Sequence, residues 1–365
     1  TGIKGDEFVG NYYVLFEKKH KEEVEELISN GINKEEAVNQ SNTMKLAKET
    51  LKNWENGDKE VRDIWKMMND WVYVGFEETY NTLGVSFDKN YYESETYLLG
   101  KEIVNYGLEN NVFYKKEDSS IWVDLTDDGL DEKLLLRSDG TSVYMTQDLG
   151  TAKQRIDDFP EIEGMVYTVG NEQDYHFQVL FKILKRLGYK WANNLFHLSY
   201  GMVDLPTGKM KSREGKVIDA DDLVLQLIES VKKTSQNLGK FQNDNNAITE
   251  DTYRKIALGA LKYFILKVDP KKRILFNPEE SIDLSGNTGP FIQYTYVRIH
   301  SILNKLEKVE NSKIIKYKLN EKEKETIKCI NRYNDIIKNA KDELSPAIIC
   351  NYLYDLVKTF NSLYQ

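Results

Sequence analysis

Residues 164–170 have the sequence Gly164-Met165-Val166-Tyr167-Thr168-Val169-Gly170, a short apolar run bounded by glycines, as a buried parallel strand would have. An amphipathic helix pattern follows from Asp174 to Leu187, and a second strand pattern runs from Phe196 to Val203. A strand, a helix and a strand at this spacing predict a βαβ unit in a parallel sheet. Because ligands of such sheets bind beyond the carboxyl ends of the strands, we expect three polar segments at one edge: residues 138–148, 171–176 and 204–216.

The third segment contains a cationic loop with the sequence Gly208-Lys209-Met210-Lys211-Ser212-Arg213-Glu214-Gly215-Lys216. Its glycines free the backbone to bend around a ligand, and its lysines and arginine suit the phosphates of a nucleotide. A solvated basic loop between a strand and a helix is the alternative interpretation of this run taken alone.

The first two segments contain candidate binding side chains. Tyr144 and Asp148 lie four residues apart, so they share a face if the stretch is helical, and the carboxylate could clamp a guanidinium or ammonium group. The alternative is that Asp148 only caps or charges the first turn of a helix from Thr146 to Asp158. After the strand, Gln173 and His176 suit a polar small molecule, although His176 could equally be a partly buried structural histidine.

The composition bounds the class of protein. At 365 residues two domains are expected, and 40% hydrophobic with 30% charged residues is typical of a soluble globular chain. No apolar run approaches the ~18 residues of a membrane span, and no signal peptide is visible. Cys329 and Cys350 show no metal-type spacing and are typical of reduced core residues, so we expect a cytoplasmic protein without a metal site. The net charge of −9 does not point to nucleic-acid binding, which depends instead on local patches.

Helical patterns dominate on both sides of the βαβ unit. Residues 34–54 and 58–84 each predict one helix, and four apolar residues of the second are predicted to be core: Val61, Ile64, Trp65 and Met68. Short strands are predicted between residues 85 and 130, the first at Val85–Asp88. After about residue 235 only helix patterns occur, one of them starting at Ser345-Pro346. We therefore predict an α/β domain at 1–235, with an insertion around 85–130, followed by an all-α domain at 236–365.

Four motifs, in order along the chain, carry a family resemblance. The segment Lys209-Met210-Lys211-Ser212-Arg213 resembles the Lys-Met-Ser-Lys-Ser loop of class I aminoacyl-tRNA synthetases. Three further segments resemble motifs of the arginyl-tRNA synthetases: Arg137–Leu149, Tyr167–Phe177 and Gly286–Arg298. Because four motifs occur in the order of that family, the resemblance is more specific than the lysine loop alone.

The resemblance implies a Rossmann-type parallel-sheet catalytic domain followed by an all-α helical anticodon-binding domain. It also implies an aminoacyl-tRNA ligase that activates L-arginine with ATP and Mg²⁺ and transfers it to the 3′ end of tRNA(Arg), and we expect a monomer. Asp148 would face the substrate guanidinium, Tyr144 would pack and hydrogen-bond beside it, and Gln173 would complete the side-chain pocket. Lys209 and Arg213 would be catalytic, with Lys209 stabilising charge on the ATP phosphates. The other ATP contacts implied are Met202, Val203, Met210, Ser212 and His176.

Two departures from the family leave alternatives open. The chain has no His-Ile-Gly-His type motif, which family members carry upstream, so we expect a fragment that also lacks the end of the anticodon domain. Ser212 stands where the loop usually has its second lysine. A different class I synthetase, such as one for cysteine or glutamate, and a tRNA-binding paralogue without a complete ATP site are the alternatives. Candidate tRNA contacts are Lys267–Arg273, Arg298, Tyr352 and Tyr354, although the tyrosines fit the core of the bundle better.

Overall fold

The computed structural model describes residues 2–96, 99–204, 219–237, 249–305 and 318–365. The helices are α1 (Gly5–Ser29), α2 (Lys34–Gln40), α3 (Asn42–Glu55), α4 (Lys59–Leu83), α5 (Glu93–Thr96), α6 (Leu99–Glu109), α7 (Tyr144–Asp158), α8 (Asp174–Arg186), α9 (Ala220–Asn237), α10 (Glu250–Leu266), α11 (Pro278–Ser281), α12 (Gly289–Lys305), α13 (Glu321–Asn331), α14 (Tyr333–Glu343) and α15 (Pro346–Tyr364). The strands are β1 (Tyr114–Lys115), β2 (Ile121–Val123), β3 (Lys133–Leu136), β4 (Met165–Gly170), β5 (Leu195–Tyr200), β6 (Val203–Asp204) and β7 (Ile274–Leu275). They divide into two compact units, formed by the described residues of 1–87 with 205–261 and of 88–204 with 262–365.

The first unit is helical, and one of its predicted helices is broken. The pattern over residues 34–54 forms two helices, α2 and α3, because Ser41 leaves the helical conformation between them. The Ser41 hydroxyl accepts a hydrogen bond from the backbone N–H of Met44 at 3.3 Å and lies 2.7 Å from His20 Nδ1. The buried serine therefore serves as the N-cap of α3, which one continuous helix would not provide.

Helix α4 begins and ends where its sequence predicts, with Asp58 as N-cap and left-handed Gly84 after its last residue. Its predicted core is wrong at two positions, because Ile64 and Trp65 are 48% and 39% exposed. Trp65 packs edge-on against Trp54, with ring centroids 5.2 Å apart, and still keeps more than a third of its surface exposed. Periodicity shows that α4 is apolar on several sides, but neighbouring helices cover only part of its circumference.

The second unit contains the predicted βαβ unit. Strands β4 and β5 are parallel and paired along their whole length, from Met165↔Leu195 to Gly170↔Tyr200, with α8 as the crossover. The predicted parallel sheet is therefore confirmed. The apolar face of α8 packs into a core of fully buried residues that includes Leu149, Leu180, Ile183 and Leu184.

Two strand predictions in this part of the chain are wrong. Phe196–Val203 is not one strand but two, β5 and β6, which belong to different sheets. The break lies at Gly201, where the backbone passes so close to Lys272 and Arg273 that a side chain would collide with them. Residues Val85–Asp88 form no strand, since they pair with no neighbouring backbone among the described residues. A separate antiparallel sheet has the order β1-β2-β3; β1 and β2 lie within the predicted insertion, and β3 follows just after it.

The C-terminal part of the second unit is a helical bundle, as predicted, with one addition. The short strand β7 lies in the stretch predicted to be wholly helical and pairs in parallel with β6. In the bundle, the buried Tyr263 hydroxyl lies 2.5 Å from Asn287 Oδ1 and 3.0 Å from the carbonyl of Cys350 on α15. Among the described residues, no helix combines the length and the apolar character that crossing a bilayer requires.

Candidate functional site

Helix α7 carries two of the predicted site residues, and its start is held firmly. The Thr146 hydroxyl is buried, accepts a hydrogen bond from the Val143 N–H at 3.2 Å and donates to the carbonyl of Leu135 on β3. Helix α7 therefore begins at Tyr144, directly after the turn that follows β3. Tyr144 and Asp148 lie one turn apart on one face, as their spacing predicts.

Asp148 does not charge the first turn of α7, so that alternative is wrong. Because α7 starts at Tyr144, the carboxylate belongs to the second turn and reaches sideways to α8. Its Oδ2 lies 2.6 Å from Nε2 of His176. The Asp148 side chain is 46% exposed and that of His176 24%, so the carboxylate opens to solvent while the ring stands behind it. The Tyr144 side chain projects beside them, and the residue is 78% exposed.

The first turn of α8 is held from the sheet side by a second histidine. His197 on β5 donates from Nε2 to the carbonyl of Val169 on β4 at 3.0 Å, and its Nδ1 lies 3.3 Å from Oδ1 of Asp174. The imidazole also packs against the ring of Phe177, with centroids 4.4 Å apart. These contacts tie the start of α8 to both parallel strands.

Gln173 lies directly before the first residue of α8. It is the last residue of a 3₁₀ turn (Asn171–Gln173) that leads from β4 directly into Asp174 and α8. Its side chain is exposed at the carboxyl end of β4. Only three residues connect β4 to α8, so the positions of Gly170 and Asp174 determine that of Gln173.

Met202 and Val203, two of the implied ATP contacts, lie just after the neighbouring strand β5. Gly170 and Tyr200 are register partners, so β4 and β5 end at the same edge, and Met202 follows two residues later. Met202 is half-exposed, and its carbonyl accepts a hydrogen bond from the Ile274 N–H at 3.0 Å. Val203 pairs with Ile274 in the β6–β7 ladder. Their backbone is therefore fixed by sheet pairing.

The predicted residues of the cationic loop lie outside the described residues: Lys209, Met210, Ser212 and Arg213. The described flank of the loop ends at Asp204, whose carboxylate forms an ion pair with Arg273.

Of the candidate tRNA contacts in the basic turn, some are hydrogen-bonded or ion-paired within the protein and others are exposed. Lys267 donates to the carbonyl of Asn287 at 2.8 Å, and burial lowers the pKa of its ammonium group. Arg273 is paired with Asp204, whereas Lys271 and Lys272 are exposed.

The aromatic candidates on the helical bundle differ among themselves. Tyr352 is buried, and its hydroxyl donates to the carbonyl of Cys329 at 3.2 Å, so its interpretation as bundle core is confirmed. Tyr354 is half-buried, with its ring 5.9 Å from that of Phe291. Arg298 donates to Asn361 Oδ1 at 2.9 Å.

Sequence reasoning missed two features of this edge. One is the pairing of Asp148 with His176, which had been assigned to different substrates. The other is Tyr167 on β4: burial raises the pKa of its phenol, Arg155 lowers it and the nearby charge of Asp148 raises it. Its ring packs against that of Phe177 on the first turn of α8, with centroids 5.0 Å apart. The alternation of residues along β4 was the only signal, and it does not separate a site tyrosine from a core one.

Comparisons with known proteins extend this geometry. The family model described as "tRNA synthetases class I (R), catalytic domain" matches residues 11–277, and the "DALR anticodon binding domain" matches residues 292–365. The chain is 58% identical over its whole length to the arginine–tRNA ligase of Flavobacterium psychrophilum, of which it covers 61%. It is 56% identical to the arginine–tRNA ligase of Parabacteroides distasonis, of which it covers 62%. The chain thus spans about three fifths of the length of these curated relatives.

Two solved structures share the fold. The arginyl-tRNA synthetase of Thermus thermophilus superposes with a TM-score of 0.73 at 19% identity, over 97% of this chain and 65% of that one. The arginyl-tRNA synthetase of Plasmodium falciparum gives a TM-score of 0.72 at 21% identity, over 89% of this chain and 56% of that one. Because the class I (R) catalytic model alone matches more than half of the residues, this chain belongs to the class I arginyl-tRNA synthetase family.

Proposed function

We propose that the full-length protein is an arginine–tRNA ligase. An α-carboxylate oxygen of L-arginine attacks the α-phosphorus of ATP, the α–β phosphoanhydride bond breaks and pyrophosphate leaves. A hydroxyl at the 3′ end of tRNA(Arg) then attacks the carbonyl carbon of the arginyl-adenylate, and AMP leaves. The observation that supports this most directly is the half-exposed carboxylate of Asp148 beside exposed Tyr144, at the edge where β4 and β5 end.

The chemistry of these groups fits a guanidinium. A carboxylate has about four acceptor positions, and His176 occupies one of them, so a planar guanidinium can still be gripped through two parallel N–H bonds. The Tyr144 hydroxyl makes no hydrogen bond with the described part of the chain and is free to accept or donate toward the substrate. Gln173 adds an amide at the same edge. The acceptor positions that this half-exposed carboxylate still offers favour a guanidinium-bearing amino acid over an acidic or thiol one.

The remaining assignments are proposed from the family resemblance. Lys209 and Arg213 would stabilise charge on the phosphates of ATP, which enters as its Mg²⁺ complex, and His176, Met202, Val203, Met210 and Ser212 would contact the nucleotide. We also propose a catalytic domain at 1–235, an anticodon-binding domain at 236–365 and a monomer, which light scattering can test. A cytoplasmic location is proposed from the two buried, free cysteines.

The test is Asp148→Asn in the full-length protein, measured by arginine-dependent ATP–pyrophosphate exchange with tRNA(Arg) present. Asparagine keeps the shape and removes the charge. Losing two charge-assisted hydrogen bonds, at roughly 1.5–3 kcal/mol each, predicts a fall in kcat/KM for arginine of about 10²–10⁴-fold. Asp157→Asn is the matched control, because Asp157 lies on the same helix with a 59% exposed side chain and pairs only with Lys153 among described residues.

Three outcomes would overturn parts of this proposal. An unchanged kcat/KM in Asp148→Asn would remove the carboxylate from arginine binding. Exchange that depends on cysteine or glutamate instead of arginine would mean a different class I synthetase. Binding of tRNA without exchange for any amino acid would mean a tRNA-binding paralogue.

A further inference from the structure

We propose that His176 is a positioning residue that orients the carboxylate of Asp148 for the arginine guanidinium. This inference rests on the proposed function and deepens it, because it assigns His176 to the amino-acid side of the site in place of the nucleotide contact that the family resemblance implies for it.

The contact between the two side chains is short and one-sided. His176 Nε2 lies 2.6 Å from Asp148 Oδ2, and within the described ranges Asp148 makes no other hydrogen bond. The carboxylate of an aspartate rotates broadly about its last torsion when nothing holds it. A single N–H donor on one oxygen removes that rotation and leaves the other oxygen facing solvent. Two parallel bonds to a guanidinium need this fixed plane, whereas a single ammonium group does not.

His176 is itself held in place. Its ring stands edge-on to Phe177, with centroids 5.7 Å apart, and Phe177 packs in turn against His197. Asp174, two residues earlier, lies 3.3 Å from His197 Nδ1, and His197 donates to the carbonyl of Val169. The first turn of α8 is therefore bound to both strands of the parallel sheet. His176 is thus held at a fixed position relative to the sheet, and its hydrogen bond fixes the Asp148 carboxylate of α7 relative to the same sheet.

The exposed fractions of the two side chains indicate which of them contacts the substrate. The imidazole is the less exposed partner, at 24% against 46% for the carboxylate, so a ligand arriving from solvent meets Asp148 before it meets His176. A group that reaches substrate through another residue changes how well the substrate is gripped. Its loss should therefore act on arginine and leave the nucleotide unaffected.

The experiment compares His176→Ala with His176→Gln in the full-length protein, by the same exchange assay with tRNA(Arg). Misorienting a binding group by about 1 Å can cost about 100-fold, so we expect His176→Ala to raise the KM for arginine by roughly 10–100-fold. The KM for ATP should change less than about twofold, and the preference for arginine over lysine should fall, since only arginine needs the fixed plane. The amide of glutamine reaches about as far as Nε2, so His176→Gln should restore most of the arginine affinity. Gln178→Ala, at an exposed position on the same helix, is the matched control and should behave as wild type.

A double variant separates this inference from the proposed function. If His176 acts through Asp148, the pair His176→Ala with Asp148→Asn should be no worse than Asp148→Asn alone. A rise in the KM for ATP with an unchanged KM for arginine would overturn the inference and favour a nucleotide contact. Wild-type arginine kinetics in His176→Ala, or a folded His176→Gln as impaired as His176→Ala, would also overturn it. If Asp148→Asn itself is wild type, the role of this carboxylate in the proposed function fails, and the inference fails with it. If only the histidine variants are wild type, the inference alone fails.

Discussion

Replacing Gly150 by alanine is expected to push helices α6 and α7 apart and to displace the carboxylate that the proposed function needs. Gly150 lies in the interior of α7, two residues beyond Asp148, and is buried against the first residues of α6. An added Cβ would stand 2.6 Å from the Gly100 nitrogen, 2.9 Å from the Leu99 carbonyl carbon and 3.0 Å from the Leu99 Cβ. Two of these three atoms are backbone, so no side-chain rotation relieves the collision.

The expected magnitude follows from these distances. The nearest atom would have to move from 2.6 Å to the 3.4 Å at which ordinary contact begins, a shift of about 0.8 Å. Overpacking of a close contact costs about 1–3 kcal/mol, and the better helix propensity of alanine returns up to about 1 kcal/mol. We therefore expect a net loss of about 1–2 kcal/mol in the free energy of unfolding. A shift of this size in α7 also predicts a fall of about 10–100-fold in kcat/KM for arginine.

Urea unfolding and the exchange assay measure the two effects, and the chain supplies a matched control. Gly10 lies in the interior of α1, where an added Cβ would meet nothing within 4 Å. Gly10→Ala should therefore raise stability by roughly 0.5–1 kcal/mol, because only the helix propensity changes. If Gly150→Ala is stabilised like Gly10→Ala and keeps its arginine kinetics, the close crossing of α6 and α7 does not position Asp148.

Two further predictions concern the helical bundle. Burial raises the pKa of Tyr263, so the folded state retains a phenolic proton that the unfolded chain releases near pH 10. The contribution of Tyr263 to the free energy of unfolding is therefore fully present below that pH and falls above it. Tyr263→Phe leaves Asn287 Oδ1 and the Cys350 carbonyl without this donor, so it should lower the free energy of unfolding by about 1–2 kcal/mol at pH 8. In urea titrations above pH 10 the difference in free energy of unfolding between the variant and the wild type should become smaller. A difference that stays constant with pH would contradict the raised pKa of Tyr263. Burial also raises the pKa of the Cys329 and Cys350 thiols, so neither should react with iodoacetamide in the folded protein at pH 8. Mass spectrometry should find both cysteines alkylated in urea. Rapid alkylation without urea would mean that the helical bundle opens.

Local patterns predicted the elements that carry the candidate site. The apolar run at 164–170 and the amphipathic helix after it are signals that lie within single segments, and β4 and α8 formed where they indicated. The four-residue spacing of Tyr144 and Asp148 likewise became a shared face, because helical geometry alone sets it.

The same patterns failed where the outcome depended on a distant partner. Phe196–Val203 has the composition of one strand, but its last residue pairs with β7, about 70 residues later in the chain. The apolar surface of α4 predicted a buried helix, yet burial depends on how many neighbours surround it, and Trp65 stayed partly open.

By itself, the sequence determined the α/β unit around β4 and α8, the helical character of the C-terminal part, which loops carry polar groups, and which family the chain resembles. Only the tertiary structure decided that the Asp148 carboxylate lies against His176, because the two residues are 28 positions apart and their distance depends on how α7 and α8 are placed on the sheet. Periodicity describes one element at a time, and a contact between two elements depends on the packing of the core that joins them.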